Sequence, residues 1–178
     1  MLKIDNITCR IAGRVIIDGA SAFIPEGHKV GLVGRNGSGK TTLFRVIEGE
    51  LPPEMGRIDM PRGARIGRVA QEAPAGPMTL LDTVLAADTE RIALLDEAET
   101  ATDPMRIADI HMRLADIDAH SAPSRAAGLL SGLGFTEEEM HRPCSEFSGG
   151  WRMRVALAAL LFSQPDLLLL DEPTNYLD

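Results

Sequence analysis

Apolar and polar residues alternate through the first thirty positions of the chain, around turn signals at residues 12–13 and 25–27. Alternation with a period of two is typical of strands with one buried face, so antiparallel strands are predicted here. A more apolar segment at residues 29–33 predicts a central strand. A glycine-rich loop follows it, and apolar residues at helical spacing then predict a helix over residues 40–48. The beginning of the chain is therefore predicted to contain a strand, a loop and a helix in succession.

Helical periodicity dominates the middle of the chain, after two short predicted strands at residues 56–59 and 65–69. Capping residues mark three helix starts in this part: Thr79 with Asp82, Asp103 before Pro104, and Thr136 with Glu139. Side-chain oxygens at these positions satisfy free backbone N–H groups, and proline fits the first helical position. Three or four helices are therefore predicted between residues 78 and 144.

One more helix, over residues 150–162, and a strand at the four-leucine run 167–170 are predicted after this. A short apolar run between turn residues is typical of a strand that is buried on both faces of a parallel sheet. The fold class is therefore predicted to be α/β, with a helical insertion in the core. The predicted divisions are 1–75 for the first part of the core, 76–145 for a helical subdomain, and 146–178 for the last helix and strand.

The composition narrows the class of protein. The 178 residues are 44% hydrophobic, and a chain of this length can form a core without disulfides or metals. Cys9 and Cys144 are too few for a disulfide framework and favour a reducing compartment. The sequence does not begin with an apolar leader, and its apolar runs are too short to cross a bilayer. A soluble, cytoplasmic protein that does not insert into a membrane is therefore predicted.

The charge and the aromatic content argue against two modes of nucleic-acid binding. With 18 basic and 26 acidic side chains the formal net charge is -8, so the surface as a whole is not expected to attract polyanions. Aromatic residues make up 4% of the chain, which is too few for base stacking to be the main activity. Arg62, Arg65 and Arg68 recur at every third position, and a solvated strand face is favoured over an RNA-facing stripe.

A phosphate-binding motif joins the predicted central strand to the predicted helix. It consists of Gly34, Arg35, Asn36, Gly37, Ser38, Gly39, Lys40 and Thr41, followed by Thr42. Its pattern is GxxxxGK followed by Ser or Thr, between a strand and a helix as the motif requires. Glycines let backbone N–H groups face an anion, the helix N-terminus adds positive charge, and Lys40 reaches the β and γ phosphates. The hydroxyl of Thr41 is predicted to hold Mg²⁺. An ordinary glycine-rich turn is the alternative.

Two adjacent carboxylates, Asp171 and Glu172, follow the four-leucine strand. Neighbouring strand residues point to opposite faces, so the two side chains should have different roles. Beside a phosphate loop, Asp171 would join the Mg²⁺ shell, and Glu172 would align or deprotonate the water that attacks the γ-phosphate. The alternative is an Asp-Glu-Pro turn that caps a helix.

Three further motifs complete a resemblance to ATP-binding cassette (ABC) ATPase domains. The stretch Phe147–Trp151 resembles the signature motif of that family, Gln71 stands where its glutamine loop would be, and Asn175–Asp178 resembles its D-loop. The order and spacing of the motifs agree with the family throughout the chain. The resemblance implies a cassette fold with a mixed or parallel core sheet and an antiparallel N-terminal β subdomain. It also implies ATP and Mg²⁺ as cofactors and ATP hydrolysis as the activity.

The resemblance also implies a partner, because cassettes of this family pair head to tail. Each nucleotide then lies between the phosphate loop of one cassette and the signature of the other. Ser148, Gly149 and Gly150 are therefore implied to bind the γ-phosphate on a second cassette. Gln71 is implied to supply an oxygen to Mg²⁺ and to couple the helical insertion to the nucleotide state.

Four features resemble those of the F-type branch of the family, whose members are soluble proteins with two tandem cassettes. They are Trp151 in place of the usual Gln of the signature, Asn175 in DEPTNYLD, the opening segment GRVIIDGASAFIPEGHKVGLVGRNGSGKTTL, and 77 residues between Gln71 and Ser148. The last of these leaves room for a helical arm between about residues 88 and 118. The branch implies a role in translation, with the ribosome or its RNA as partner. The ATP-binding subunit of a transporter and a non-catalytic nucleotide-binding module are the alternatives.

Two departures from the family pattern qualify these expectations. The position that often presents an aromatic ring to adenine holds Ile11 and Ala12, so adenine is expected to pack on Ile11 and on the stem of Arg14. The sequence stops at Asp178, before the switch histidine of the family. We therefore expect a C-terminally truncated cassette with half of a composite site and little or no hydrolysis of its own. Trp151 is expected either to contact a partner or to pack on the helical insertion.

Overall fold

The computed structural model describes residues 1–69 and 74–171. The chain divides into two compact units, Met1–Ile66 and Gly67–Asp178. The first unit is built on a β-sheet, and the second contains a helical core.

A three-stranded antiparallel sheet builds the first unit. Strand β1 (Leu2–Ile11) pairs on one side with β2 (Arg14–Ile24) and on the other with β3 (Met55–Asp59). The turn between β1 and β2 consists of Ala12 and Gly13, with φ angles of 49° and 79°. Two consecutive positive φ values match the right-handed twist of a tight hairpin. The predicted antiparallel start of the chain is confirmed.

The buried positions of β1 change parity midway along the strand. Leu2 and Ile4 are buried in its first half, whereas Ile7 and Cys9 are buried in its second half. The register shifts between Ile4 and Ile7, where Asn6 has a φ of 50° and its N–H donates to the hydroxyl of Ser21. An extra residue at such a bulge turns the following side chains to the other face. This bulge keeps the apolar residues of both halves in the core.

The predicted strand at residues 29–33 is wrong. The structure assigns these residues to no strand, and Val33 is 95% exposed. A strand exists only where a neighbour completes its hydrogen-bond ladder. Within the described part of the chain the two sheets contain other segments. Helix α1 (Lys40–Ile47) does form where it was predicted, and Gly49 follows it with a φ of 76°.

Apart from Ile66, the first residue of β4 (Ile66–Arg68), a two-stranded sheet and six α-helices belong to the second unit within the described residues. The sheet pairs β4 with β5 (Leu167–Leu169). The helices are α2 (Leu80–Leu85), α3 (Thr89–Thr100), α4 (Pro104–Asp116), α5 (Ala122–Gly132), α6 (Glu137–Met140) and α7 (Gly149–Phe162). Two single 3₁₀ turns, Ala119–Ser121 and Cys144–Glu146, connect them.

Three or four helices were predicted between residues 78 and 144, but the structure has five α-helices there, α2 to α6. Thr79, Asp103 and Thr136 cap α2, α4 and α6 as expected, but Asp88 also caps α3 by accepting from the N–H of Arg91 at 3.0 Å. Only Ala86 and Ala87 separate this cap from the preceding helix. A helix break so short leaves little trace in the hydrophobic periodicity.

Helices α2, α5 and α7 pack around one apolar cluster. Its buried members are Leu80, Val84, Ala122, Ala126, Leu130, Phe135, Met140, Cys144, Val155, Ala158 and Phe162. Alanines at the contacts allow the helices to approach closely, and the larger side chains fill the space between them. Helix α7 is therefore anchored in the core of the second unit along its length.

The predicted helical arm corresponds to a hairpin of α3 and α4. It has a small cluster of its own around Ile110, Leu114 and Ala119. Arg106 donates two hydrogen bonds to Glu97, at 2.6 and 2.7 Å, and these bonds lower the pKa of the Glu97 carboxyl. Because both side chains are about half exposed, such a pair contributes little to stability. In the described part of the chain, no helix has the length and apolar character needed to cross a membrane.

Candidate nucleotide-binding site

The phosphate loop depends on glycines with left-handed backbone conformations. Gly37 and Gly39 have φ angles of 80° and 95°. At Gly39 a Cβ atom would also lie 2.7 Å from Cγ2 of Ile16 on β2, closer than two carbon atoms can pack. The backbone angle and the contact with β2 both require glycine at this position.

Lys40 folds back onto the loop that precedes it. As the first residue of α1, it directs its ammonium group to the carbonyl oxygen of Gly34 at 2.8 Å and to that of Arg35 at 3.2 Å. The N–H of Ser38 also donates to the carbonyl of Arg35, at 3.1 Å. The loop is therefore closed by its own hydrogen bonds, with the lysine charge held against it.

The start of α1 is suited to binding an anion. Gly39 occupies the N-cap position and has no side chain with which to cap the helix, and the first turn contains no acidic residue. The first N–H groups of a helix lack intrahelical partners and carry a partial positive charge. Together with Lys40 they form a donor set that fits phosphate oxygens. Within the motif, Arg35, Asn36, Ser38 and Thr41 are exposed, and Thr42 is half-buried.

Ile11 lies at the tip of the β1–β2 hairpin. It is the last residue of β1, it pairs in register with Arg14, and it is 40% exposed. An exposed isoleucine beside an arginine stem offers an apolar surface next to a positive charge.

The signature residues form the start of α7. Ser148 is the N-cap, with an extended backbone (φ −64°, ψ 162°), and its carbonyl accepts from the N–H of Arg152 at 2.9 Å. Ser148, Gly149 and Gly150 are all exposed. A Cβ atom built on either glycine would have no neighbour within 4 Å. This helix start is therefore open to solvent, without a loop folded over it.

Trp151 anchors the start of α7 on the helical subdomain. Its ring meets the ring of Phe135 edge to face, with 5.0 Å between centroids, and the guanidinium of Arg154 lies 4.5 Å from its centroid. Phe147 contacts Phe135 from another side at 5.9 Å. Of the two expectations for Trp151, packing on the insertion is confirmed.

Asp171 lies two residues after the end of β5 and faces an arginine on the neighbouring strand. Its Oδ2 atom lies 3.6 Å from Nη2 of Arg68, and the two side chains are 28% and 17% exposed. The expectation of one solvated arginine face is therefore wrong for Arg68, although Arg62 and Arg65 are exposed. The pairing of β4 with β5 creates this contact, and a contact between strands so distant in sequence leaves no local signal.

The remaining predicted residues are placed as follows. Gln71, Glu172 and the Asn175–Asp178 segment lie outside the described residues. The phosphate loop belongs to the first unit, and the signature and Asp171 belong to the second. Within the first unit Lys40 donates hydrogen bonds to its own loop, and within the second unit Asp171 forms an ion pair with Arg68.

Thr41 in the first unit and Asp171 in the second each carry an oxygen, a hydroxyl and a carboxylate, of the kind that Mg²⁺ binds. Among residues 1–69 and 74–171, no group of three or more His, Cys, Asp or Glu side chains could hold a metal on its own. Mg²⁺ at phosphate sites is typically held by one or two protein oxygens, the substrate phosphates and water.

Comparison with known proteins identifies relatives of this chain. The family model described as "ABC transporter" matches residues 17–175. The chain belongs to the ATP-binding cassette family. "Probable ATP-binding protein YheS" of Escherichia coli K12 is 46% identical over the whole chain, and "ATP-binding cassette sub-family F member 3" of Mus musculus is 40% identical over 99% of it. The chain spans 28% and 26% of the lengths of these two relatives.

Solved cassettes share the fold. A dimeric ATP-binding cassette in a post-hydrolysis state with ADP and Pi has a TM-score of 0.66 at 24% identity. The match covers 100% of this chain and 76% of the solved chain. An ATP-binding subunit of an ABC transporter has a TM-score of 0.71 at 18% identity. That match covers 99% of this chain and 68% of the solved chain. At these identities the likeness concerns the fold alone, and it confirms the predicted cassette fold class.

Proposed function

We propose that this cassette binds ATP at residues 34–42 and hydrolyses it with Mg²⁺ when assembled in its full-length protein. The observation that carries the proposal is the loop itself, with Lys40 held against it and Gly39 at an uncapped helix start. An ordinary turn does not need a glycine that abuts Ile16 together with a lysine aimed at its own loop.

The proposed roles follow from the chemistry of each side chain. The loop N–H groups and Lys40 bind the β and γ phosphates, and Thr41, Gln71 and Asp171 hold Mg²⁺. Bound Mg²⁺ neutralises phosphate charge as it develops in the transition state. Glu172 aligns or deprotonates the attacking water.

Adenine is proposed to lie on the tip of the first hairpin. The exposed Ile11 side chain and the stem of Arg14 form the apolar surface available there. A contact without an aromatic ring lacks the stacking that would favour a purine, so selectivity among nucleoside triphosphates is expected to be weak.

The second anion site is proposed to act on another cassette. Ser148, Gly149 and Gly150 form an exposed helix start, which suits a phosphate presented by a facing molecule. In a head-to-tail pair each nucleotide would then be enclosed by two helix starts from different cassettes. One such chain supplies one half of each site, and its own hydrolysis rate is expected to be low.

We further propose that the full-length protein is a soluble, cytoplasmic protein of the F-type branch with tandem cassettes, and that it acts on the ribosome in translation. The identity of 40% to a protein named as an F sub-family member supports this branch. The α3–α4 hairpin fills the long interval between Gln71 and Ser148, as expected for the arm of that branch. The ATP-binding subunits of transporters that share the fold are more distant in sequence.

A substitution of the proposed base tests the function. In the full-length protein, Glu172→Gln is expected to retain ATP, to lower hydrolysis at least about 100-fold, and to stall translation in a reconstituted system. The double variant Lys40→Ala with Glu172→Gln is the matched control, and it should relieve the stall because it cannot bind ATP at this site. Normal hydrolysis by Glu172→Gln would exclude Glu172 as the base. Trapped ATP without a stall would exclude translation as the target.

A further inference from the structure

Phe135 contacts the chain on both sides of the signature. Its ring meets the ring of Phe147 edge to face, with 5.9 Å between centroids, and that of Trp151 with 5.0 Å between centroids. These two partners directly precede and follow Ser148–Gly150 in the sequence. One side chain of the helical subdomain therefore supports both ends of the exposed segment that is proposed to bind phosphate.

The backbone of Phe135 is fixed by the turn that ends α5. Its N–H donates to the carbonyl oxygen of Leu130 at 3.1 Å, and the N–H of Gly134 donates to that of Ser131 at 3.0 Å. Gly134 has a φ of 95°, and two such bonds around a left-handed glycine form the Schellman ending of a helix. Thr136 then begins the capping box of α6. Because Phe135 is also only 3% exposed, its ring has little room to move.

The signature residues themselves have few means of being held in place. Gly149 and Gly150 have no side chains, and a Cβ atom at either position would meet nothing within 4 Å. The side chain of Ser148 forms no hydrogen bond that caps α7. Glycine also has the greatest backbone freedom of all residues. The direction in which this helix start faces therefore depends on the contacts on its two sides, and Phe135 takes part in both.

We infer that Phe135 is a positioning residue for the signature. By holding Phe147 and Trp151, it keeps the first N–H groups of α7 directed towards the place where a facing cassette presents its phosphate. The inference rests on the proposed role of Ser148–Gly150 in binding the nucleotide of a partner cassette. Donors that are oriented in advance stabilise a transition state without a cost of reorganisation. Loss of the ring should therefore slow hydrolysis without weakening the binding of ATP to the phosphate loop.

The variant Phe135→Leu tests this inference in the full-length protein. Loss of both ring contacts should lower kcat for ATP hydrolysis roughly threefold to tenfold, since small misplacements of groups that act on the transition state are costly. The equilibrium affinity for ATP, measured without Mg²⁺, should stay within about twofold of wild type, because the phosphate loop is unchanged. Amide hydrogen exchange at residues 149–152 of the nucleotide-free protein should become faster, because the helix start is less restrained.

Three further variants separate positioning from a general loss of stability. Phe162→Leu removes a ring that is 5% exposed in the same cluster, at the other end of α7. It should lower the melting temperature as Phe135→Leu does, but leave kcat within about twofold of wild type. Phe135→Tyr keeps the ring and should restore kcat to within about twofold, even if its hydroxyl lowers the melting temperature. Phe135→Met fills the space without an aromatic ring, and should reproduce the slow hydrolysis if Phe135→Leu does not fold.

The outcomes distinguish failure of the inference from failure of the proposed function. Normal kcat or unchanged exchange at residues 149–152 in Phe135→Leu, or in Phe135→Met where only that variant folds, overturns the positioning role. An equal loss of kcat in Phe162→Leu or in Phe135→Tyr also overturns it, because the ring contacts would then not explain the effect. If Ser148→Ala hydrolyses ATP at the normal rate, the proposed role of the signature is itself wrong, and the inference fails with it.

Discussion

The two glycine-rich helix starts of this cassette, at α1 and at α7, bear the same chemistry in different settings. The α1 start is preceded by a loop that closes on itself through Lys40, and Gly39 abuts Ile16. The α7 start is exposed, with open space beside Gly149 and Gly150 and with Ser148 in an extended conformation. Both present backbone N–H groups, but only the first has a lysine in the loop.

This difference indicates a division of labour between the two starts. A loop that is already closed around a lysine can bind the phosphates of a ligand by itself, because its donors are fixed before binding. An open helix start has few donors and no enclosing chain, so we expect it to bind phosphate only when a partner presents the phosphate and excludes water.

Removal of the lysine charge should have the largest effect. Lys40→Ala is expected to weaken ATP binding at this site by at least about 100-fold, since it removes a charged hydrogen-bond donor from the proposed phosphate site. Equilibrium titration with a fluorescent ATP analogue measures the change. Lys29→Ala, at an exposed lysine before the loop, is the matched control and should bind normally. Equal binding by both variants would contradict the role of the loop.

The same substitution at a glycine should have different consequences at the two helix starts. Gly39→Ala forces a side chain into a left-handed backbone (φ 95°) and against Ile16, a strain of about 1–2 kcal/mol, so ATP affinity should fall about tenfold. Gly149→Ala meets open space and should leave ATP affinity unchanged. If Gly39→Ala binds ATP as well as Gly149→Ala does, the loop geometry described here is not required.

Loss of the signature hydroxyl should affect turnover but not binding. Ser148→Ala in the full-length protein is expected to lower ATP hydrolysis about tenfold, the scale of one lost transition-state hydrogen bond. ATP affinity at low protein concentration should stay within twofold, because the hydroxyl is proposed to act on the nucleotide of the partner cassette. Steady-state phosphate release and equilibrium binding are measured on the same preparation. A parallel loss of binding would mean that Ser148 contacts the ATP of its own chain.

The aromatic contact behind the signature should contribute moderately to stability. Trp151→Ala removes an edge-to-face contact with Phe135 and the stacking of Arg154. Because the ring is partly exposed, the expected loss is about 1 kcal/mol in the free energy of unfolding. Urea denaturation measures it. Met112→Ala, at a side chain that is 60% exposed, should change stability little, and an equal loss in both variants would exclude a specific anchoring role for Trp151.

At a third helix start, that of α6, a side chain caps the helix, and its substitution should have the smallest effect. Here Glu139 accepts a hydrogen bond from the N–H of Thr136 at 2.8 Å, and this bond lowers the pKa of the carboxyl. The stabilisation is therefore complete at a pH above the pKa that the Glu139 carboxyl has in the unfolded chain. It is lost as the pH falls through the lower pKa that this carboxyl has in the folded protein. Glu139→Gln should lower the melting temperature slightly at pH 7 and not at all at acidic pH.

The control for this pH effect is the neighbouring Glu138→Gln. Glu138 is exposed on the same helix, so its substitution should produce no comparable difference between neutral and acidic pH. Similar pH profiles for the two variants would assign the effect to the general charge of the helix start instead of the capping hydrogen bond.

The sequence predicted best what depends on neighbouring residues. The caps Thr79, Asp103 and Thr136 act within three positions, and helix α1 is marked by its own apolar spacing, so these features were foreseen. The strand at 29–33 was predicted wrongly because an apolar run does not reveal whether a ladder partner is present. The Arg68–Asp171 pair was missed because it joins strands that are about a hundred residues apart. The packing of Trp151 on the helical subdomain became evident only from its contact with Phe135 in the structure.

Amide hydrogen exchange tests the division between the two helix starts most directly. When the wild-type protein binds ATP without Mg²⁺, we expect slower exchange at residues 37–43, where the loop and the start of α1 meet phosphate, and no change at residues 149–152. In the full-length Glu172→Gln variant with MgATP, both segments should be protected, because we expect the cassettes to pair in that state. Unchanged exchange at residues 37–43, or protection of residues 149–152 in the unpaired protein, would contradict this account.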